Sequence, residues 1–545
     1  MLRKALQLEF KMNQHNVCLL DLPNEILFLI LKKLDNIDVL YSLLGINNQR
    51  LNIIAQEQNF TNILNFVSIS QSTDEISSIS AAILNRFCID ILPRIHKNVK
   101  SLSIESIYLE YILGAGHYPN LTELKLFNLN KEIFLRYLIG DSLFGHICKK
   151  QITNFTLIIN ENNIEITQKE YTKNVYANIF AFFENLKHLT IVLSSIKNYP
   201  SLSFCFLPST TFSSSTLTEL CINVEDFNDV HALLDGRLKQ LTRFIVQVHL
   251  IEDHISTSHK RVDLPNLKCF SLTSYHSTVG FNTVVVPLLR RMSYLEELTL
   301  YIRIWNRLTF IAGTYLDNEI LIHMPKLHTF TFYIASKNDN PDPAIRISND
   351  DIQRTFTNKE HRPMTSMVDY FDPYKMICRI FSLPFKFHRL DDIGNNIPNI
   401  VFNSVTHLKL WDKDEFKHEF FIRLARAFPF LKNLSIWNIK PPFLGTPKYH
   451  LRYKDWCSII EYPHLISLDI ECVNTYYVEH FLNEEKAHLP HLTELKVCYD
   501  SLKFVTKNFT RDKTRRNCAR IKRLIVENPI TYPKDVYRYF PLLAV

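Results

Sequence analysis

The chain has 545 residues, 46% of them hydrophobic, enough for several domain-sized cores, yet only 10 are glycine, which leaves little material for Gly-rich phosphate loops. Its 62 Lys and Arg against 55 Asp and Glu give +7, a mild bias over such a length and no electrostatic footprint of a nucleic-acid binder. Eleven cysteines occur singly with no Cys-x-x-Cys pair, which argues against a zinc site or redox dithiol and for a reducing compartment.

Residues 1–18 read as a polar tail without the apolar core of a secretory signal, and no later run approaches a membrane span of about 20 apolar residues. The expected location is therefore cytoplasmic or nuclear, with no membrane partner. From residue 20 the chain reads Leu-Asp-Leu-Pro-Asn-Glu-Ile-Leu-Phe-Leu-Ile-Leu-Lys-Lys-Leu, and Pro23 predicts a helix start, since proline is accepted in a first turn. Ile26, Leu27, Ile30, Leu31 and Leu34 make one stripe, while Phe28 and Leu29 add apolar surface on another side, so one side is expected to belong to a partner. Further apolar stretches, Val39 to Leu44 and Leu51 to Ile54, complete a unit over 19–60 that is too small to stabilise itself readily.

This pattern resembles the F-box: Leu22-Pro23-x-Glu25-Ile26-Leu27, then Ile30-Leu31-x-x-Leu34, a helix start at Asp38-Val39-Leu40, and a closing Asn48-Gln49-Arg50-Leu51. Many F-boxes carry a tryptophan at the end, where this chain offers Leu51 or a neighbour. The resemblance implies a three-helix unit that binds the Skp-type adaptor of a cullin-RING (SCF) ubiquitin ligase. It also assigns Leu22, Pro23, Glu25, Ile26, Leu27, Ile30, Leu31 and Leu34 to the adaptor contact.

Beyond residue 60 one pattern recurs, apolar-x-x-apolar-x-apolar, as in Pro119-Asn120-Leu121-Thr-Glu-Leu124-Lys-Leu126 and Pro490-His491-Leu492-Thr-Glu-Leu495-Lys-Val497. Copies begin at Leu186, Leu217, Leu241, Leu267, Leu295, Leu327, Val405, Leu431, Leu465 and Ile521, with weaker ones at Val99 and Ile152. Many adjacent starts lie about 24–28 residues apart, within the period of a leucine-rich repeat. The alternation in each copy predicts a short strand, and helical patterns fill the gaps, the clearest being Phe416, Phe420, Phe421, Leu424 and Phe428 before Pro429. The resemblance to leucine-rich repeats covers residues 61–545 and implies an irregular α/β horseshoe solenoid, parallel sheet on the concave side and helices on the convex. The family's ladder asparagine is missing from nearly every copy, with Asn160 the exception, so the turns are expected to satisfy their backbone groups by other means. Between Leu327 and Val405 the middle, 336–372, is polar and reads as an excursion, with a strand on the return from Met376 to Leu383.

The seventh position of each copy faces outward from the concave side by alternation, and it holds Tyr301, Tyr333, Trp411 and Trp437, with Phe127 further back. These four rings are the expected substrate-binding residues, the excursion closing over them; the other reading is that they are peripheral core.

No catalytic residue, cofactor site or metal site is expected. Gly140-Asp-Ser142-Leu143 matches an esterase tetrapeptide but lacks the Asp-x-x-His that would supply its base. His249, His254 and His259 share no face of a helix or strand, and His418-Glu419 lacks the second histidine of a zinc protease. The basic run from Arg511 to Arg523 is a solvated helix face or a site for an acidic partner. F-box plus repeats implies a substrate receptor, with the Skp-type adaptor, a cullin and a protein substrate as partners and no nucleic acid. A scaffold without a ubiquitylation role is the alternative.

Overall fold

A computed structural model describes residues 10–12, 15–17, 19–69, 76–128, 143–159, 177–193, 203–205, 207, 211–254, 264–306, 309–339, 341, 346–356, 363–372, 375–441, 458–527 and 532–543. It is a mixed α/β protein with large parallel sheets, and its contacts cluster in two compact units, Met1–Leu272 and Thr273–Val545.

In the first unit a short antiparallel pair, Phe10–Met12 with His15–Val17, lies within the expected polar tail, and a 3-10 turn, Leu19–Asp21, leads into helices Asn24–Leu31 (α1), Asn36–Leu43 (α2) and Gln49–Ala55 (α3). Its strands Ile63–Asn65 (β1), Ser101–Glu105 (β2), Glu123–Phe127 (β3), Asn154–Ile159 (β4), His188–Leu193 (β5), Glu219–Asp226 (β6) and Arg243–Leu250 (β7) pair in sequence order, each parallel to the next. Every copy of the apolar pattern, weak ones included, yields a strand beginning two residues after its first apolar residue. The reason is local: the alternating residues, such as Leu124 and Leu126 in β3, are buried, each contributing about 1.5–3 kcal/mol, while Glu123 and Lys125 point outward.

A hydrogen-bond ladder runs along the second position of the copies. The amide nitrogens of Thr122, Thr153, Lys187, Thr218, Thr242 and Lys268 each donate to the carbonyl at the equivalent position one copy back. The Thr218 hydroxyl also donates to Lys187 O at 3.1 Å and that of Thr242 to Thr218 O at 3.0 Å. One position before the first apolar residue, side-chain amides do similar work, Asn120 to Lys97 O, Asn185 to Lys150 O and Asn266 to Lys239 O. Turn carbonyls that would be orphaned are thereby paired.

In the second unit, Cys269–Thr278 (β8), which straddles the boundary, Glu297–Ile304 (β9), Thr329–Asn338 (β10), Met364–Asp372 (β11) and Lys375–Ser382 (β12) lie in the order β8-β9-β10-β12-β11. β9 and β10 are parallel, whereas β12 runs antiparallel to both β10 and β11. Described residues of the polar 336–372 stretch therefore extend the sheet: it supplies the end of β10, helix Asn349–Gln353 (α4) and β11. The outer edge of β11 is met by side chains, Asn349 Oδ1 accepting from Val368 N (2.7 Å), Gln353 Nε2 donating to Met364 O (2.8 Å) and Asn396 Nδ2 to Val368 O (3.1 Å). Such capping leaves few free groups for another strand to pair with.

A second, six-stranded parallel sheet follows, from Arg389–Ile393 (β13) through His407–Trp411 (β14), Asn433–Trp437 (β15), Ser467–Ile470 (β16) and Glu494–Val497 (β17) to Arg523–Ile525 (β18). Helices His418–Ala427 (α5) and Thr475–Leu482 (α6) pack behind it, with Phe416, Phe420, Phe421, Leu424 and Phe428 all buried, as their spacing predicts.

Candidate protein-docking surfaces

The helical module folds by turning alternate apolar residues of α1 in opposite directions. Leu27 and Leu31, four apart, are buried with Val39, Leu40, Leu43, Leu51, Ile54 and Phe60. Ile26, Leu29, Ile30 and Leu34 point outward, at 42%, 59%, 39% and 38% exposure, and Leu20 joins them at 41%. Pro23 and Glu25 are also exposed, and Leu22 is half-buried. Leu27 and Leu31, two of the expected contact residues, are buried in the module's own core and hold α1 in place. Leu29 and Leu20 are not among the expected contacts. Leu29 is legible in the sequence as apolar surface off the main stripe, whereas nothing in the spacing places Leu20.

The segment leading into α1 is tied to α3 by one side chain. Arg50 donates from Nε to Asn24 Oδ1 at 2.6 Å, from one terminal nitrogen to Leu20 O at 2.7 Å, and from the other to Leu22 O. α3 is itself fixed, Asn48 Oδ1 capping it by accepting from Leu51 N at 3.1 Å.

Among the seventh-position rings the outcome is divided. Tyr301 and Tyr333 are fully buried and stack on each other, centroids 4.6 Å apart. They do face away from the helix-side residues Leu298 and Leu300, as alternation predicts, but the chain after β12 covers them: Phe387 lies edge-on to Tyr301 at 5.2 Å, and Phe385 edge-on to Tyr333 at 5.9 Å. The two tyrosines are core and not an open groove, and the cover comes from residues just past the 336–372 stretch. Phe127 is buried too. Trp411 is half-buried, its ring against Phe371 (4.6 Å) and under the Lys375 ammonium (3.3 Å); Trp437, its partner in register, is 52% exposed.

Around the same cover runs a buried ionic network. The fully buried Arg379 pairs with Asp369 and donates to Asp392 O, Arg303 pairs with Asp391 (3.2 Å) and Asp392, and Arg389 with Asp391 (3.0 Å). Asp392 adopts φ +55° within an irregularity of the β13–β14 register, which turns it toward these guanidiniums. Each charge finds a partner inside the network, so it stitches strands together.

Other groups singled out from the sequence are spoken for. The basic run pairs largely backward, Arg511 with Glu479, Lys513 with Glu485 (2.7 Å) and Arg523 with Glu494 (3.2 Å), the arrangement of a solvated face. His254 is exposed beside Glu252 and Asp253, which raise its pKa, chiefly through the Asp253 hydrogen bond; His259 lies outside the described residues, as do Ser142 and Asn160. His418 packs edge-on to His480, rings 5.5 Å apart. Cys205, Asp226 and Asp229 come close enough to suggest a metal, but the Asp229 carboxylate accepts from the backbone of Phe204 (2.5 Å), Cys205 (2.7 Å) and Asp226 (3.1 Å). Burial still pushes Asp229 up to about 7. The pair is the capping box of the following helix, Phe227–Leu233, and its donors are already used.

No family model matches the chain, and no curated protein matches it. No helix of the described residues is long and apolar enough to cross a membrane.

Proposed function

We propose that this chain is a substrate-recognition adaptor of an SCF-type cullin-RING ubiquitin ligase. The observation that carries the reading is the uncovered apolar surface on the helical module, Leu20, Ile26, Leu29, Ile30 and Leu34 beside Pro23. Exposed apolar side chains gathered on a small helical unit, with Ile26, Leu29 and Ile30 on one helix face by their i, i+3, i+4 spacing, mark a protein-docking face. Their sequence setting, Leu-Pro-x-Glu-Ile-Leu followed by Ile-Leu-x-x-Leu, resembles the F-box, whose partner is a Skp-type adaptor. In this reading the strand-and-helix copies form a leucine-rich-repeat-like horseshoe that holds a protein substrate, with Trp437 and Trp411 as candidate contacts, and other subunits transfer ubiquitin. The chain itself performs no chemistry.

The test is reconstitution of the full chain with a Skp-type adaptor and a cullin. A stoichiometric complex is expected, and Ile30→Asp should abolish it while leaving the melting temperature nearly unchanged, because Ile30 is outside the module's core. Leu22→Ala combined with Pro23→Ala should weaken adaptor binding at least about tenfold, the effect of removing interface anchors. Absence of a complex, or parent-like binding by Ile30→Asp, would sink the proposal.

A further inference from the structure

We infer that Arg50 is a positioning residue of the docking surface, its guanidinium locking the Leu20–Asn24 segment in the shape that the adaptor meets. The inference rests on the docking reading above and adds a mechanism to it. Packing alone does not fix this segment: Leu20, Asp21, Pro23 and Asn24 are exposed and Leu22 is half-buried. Beyond the 3-10 turn Leu19–Asp21 and the helical bond from Leu27 N to Pro23 O, the segment is tied to α3 by one planar fork with donors at three positions, reaching Leu20 O, Leu22 O and the Asn24 side chain, which are alternate points along five residues. The base of the fork is rigid, since α3 is capped by Asn48 and buries Leu51, Ile54 and Ala55.

The consequence is that the backbone carrying Leu20 and Pro23 is held at the entry to α1 before any partner arrives. A loose segment would have to be ordered during binding, and that cost comes out of the affinity. Lysine cannot replace arginine here, because an ammonium on a flexible stem cannot present the same three-way fork to these acceptors. The bonds to Asn24 and Leu20 are exposed and that to Leu22 is only part-buried, so water can replace the arginine at these acceptors, and loss of the fork is expected to loosen the segment without unfolding the module.

The experiment measures, in the full chain, affinity for a Skp-type adaptor by calorimetric titration, and amide hydrogen exchange over residues 19–27 without the adaptor. Arg50→Ala and Arg50→Lys are both expected to bind about tenfold more weakly, to exchange faster over 19–27, and to melt within a few degrees of the parent. Asn24→Ala removes one acceptor of the three and should weaken binding by only about two- to threefold. Parent-like affinity in Arg50→Lys would mean that charge, not the fork, matters, and unchanged exchange would mean that the segment needs no clamp; either overturns the role of Arg50 with the docking reading intact. A large loss of melting temperature in both Arg50 variants makes the residue structural and also overturns it. Failure of the parent chain to bind the adaptor overturns the docking reading itself.

Discussion

Two apolar surfaces of this protein have opposite fates. On α1, Ile26, Leu29 and Ile30 lie outside a module whose core is already filled by Leu27, Leu31 and their neighbours. On β9 and β10, the stacked Tyr301 and Tyr333 lie on the strand face away from the helices, yet the returning chain brings Phe385 and Phe387 over them. Residue type is similar in the two places; what differs is whether the chain has a further segment to lay across the surface. Among the described residues no segment lies across the surplus apolar face of the short helical unit, which stays exposed. A sheet followed by a long return can bury its second face and become a two-sided core.

That contrast can be broken most directly by truncating both surfaces. Tyr301→Ala or Tyr333→Ala should cost about 3–5 kcal/mol, the usual penalty for emptying an aromatic site in a core, and lower the denaturant midpoint accordingly. Leu29→Ala should leave the midpoint nearly unchanged and show its effect in adaptor binding. Phenylalanine at either tyrosine position sharpens the test. Among the described residues neither hydroxyl has a hydrogen-bond partner, so removing a buried polar group there should be neutral or stabilising by up to about 1 kcal/mol. If the alanine variants hold the parent midpoint, the rings are not core and the groove reading returns.

The sequence carried the strands well because each depends only on local alternation. From Leu295, positions 298 and 300 had to bury and 299 and 301 had to face the other way, and they do. Coverage is not local: that Phe387 would sit on Tyr301 depends on a chain reversal through β11 and β12 and on where β13 begins. The threonine ladder lay in plain view as the Leu-Thr of several copies, but its role follows only once neighbouring copies are stacked at a fixed register. For α1, the sequence showed an excess of apolar surface. Sorting Leu27 and Leu31 from Ile26 and Ile30 required knowing from which direction α2 and α3 approach.

A medium effect is expected from pH, and it probes the second unit separately from the helical module. His480 is fully buried against the stacked ring of Phe421, with His418 edge-on, Phe481 and Tyr476 nearby, Glu479 on its own helix and Lys486 beyond. Burial first, then the positive fields of His418 and Lys486, push its pKa down to about 3. A folded pKa below the unfolded value of about 6.5 means that the unfolded state binds the extra proton between the two. Stability from this group is therefore complete above pH 6.5 and falls as the pH drops toward 3, by about 2 kcal/mol at pH 5. The measurement is the denaturant midpoint of the second unit at pH 7 and pH 5, in the parent and in His480→Leu. Subtraction cancels the titrating groups that parent and variant share and that do not touch His480. An equal acid loss in parent and variant would show that His480 is not the buried neutral group described.

The smallest effect should come from Trp437, and it decides whether the second unit carries an exposed ring with little structural duty. Trp411 and Trp437 face each other in register on β14 and β15, but Trp411 is packed on Phe371 and covered by Lys375, whereas half of Trp437 meets solvent. Burial-weighted truncation predicts a loss of about 1–3 kcal/mol for Trp411→Ala, and for Trp437→Ala one nearer about 0.5 kcal/mol, as for an ordinary surface site. Thermal unfolding of the two variants provides the comparison. A clear gap between them leaves Trp437 as an aromatic surface with little structural duty, like Leu29 on α1 and unlike Tyr301. Equal and large losses would place both tryptophans with the tyrosines, as core of the second unit, and leave Leu29 and its neighbours on α1 without an aromatic counterpart on the six-stranded sheet.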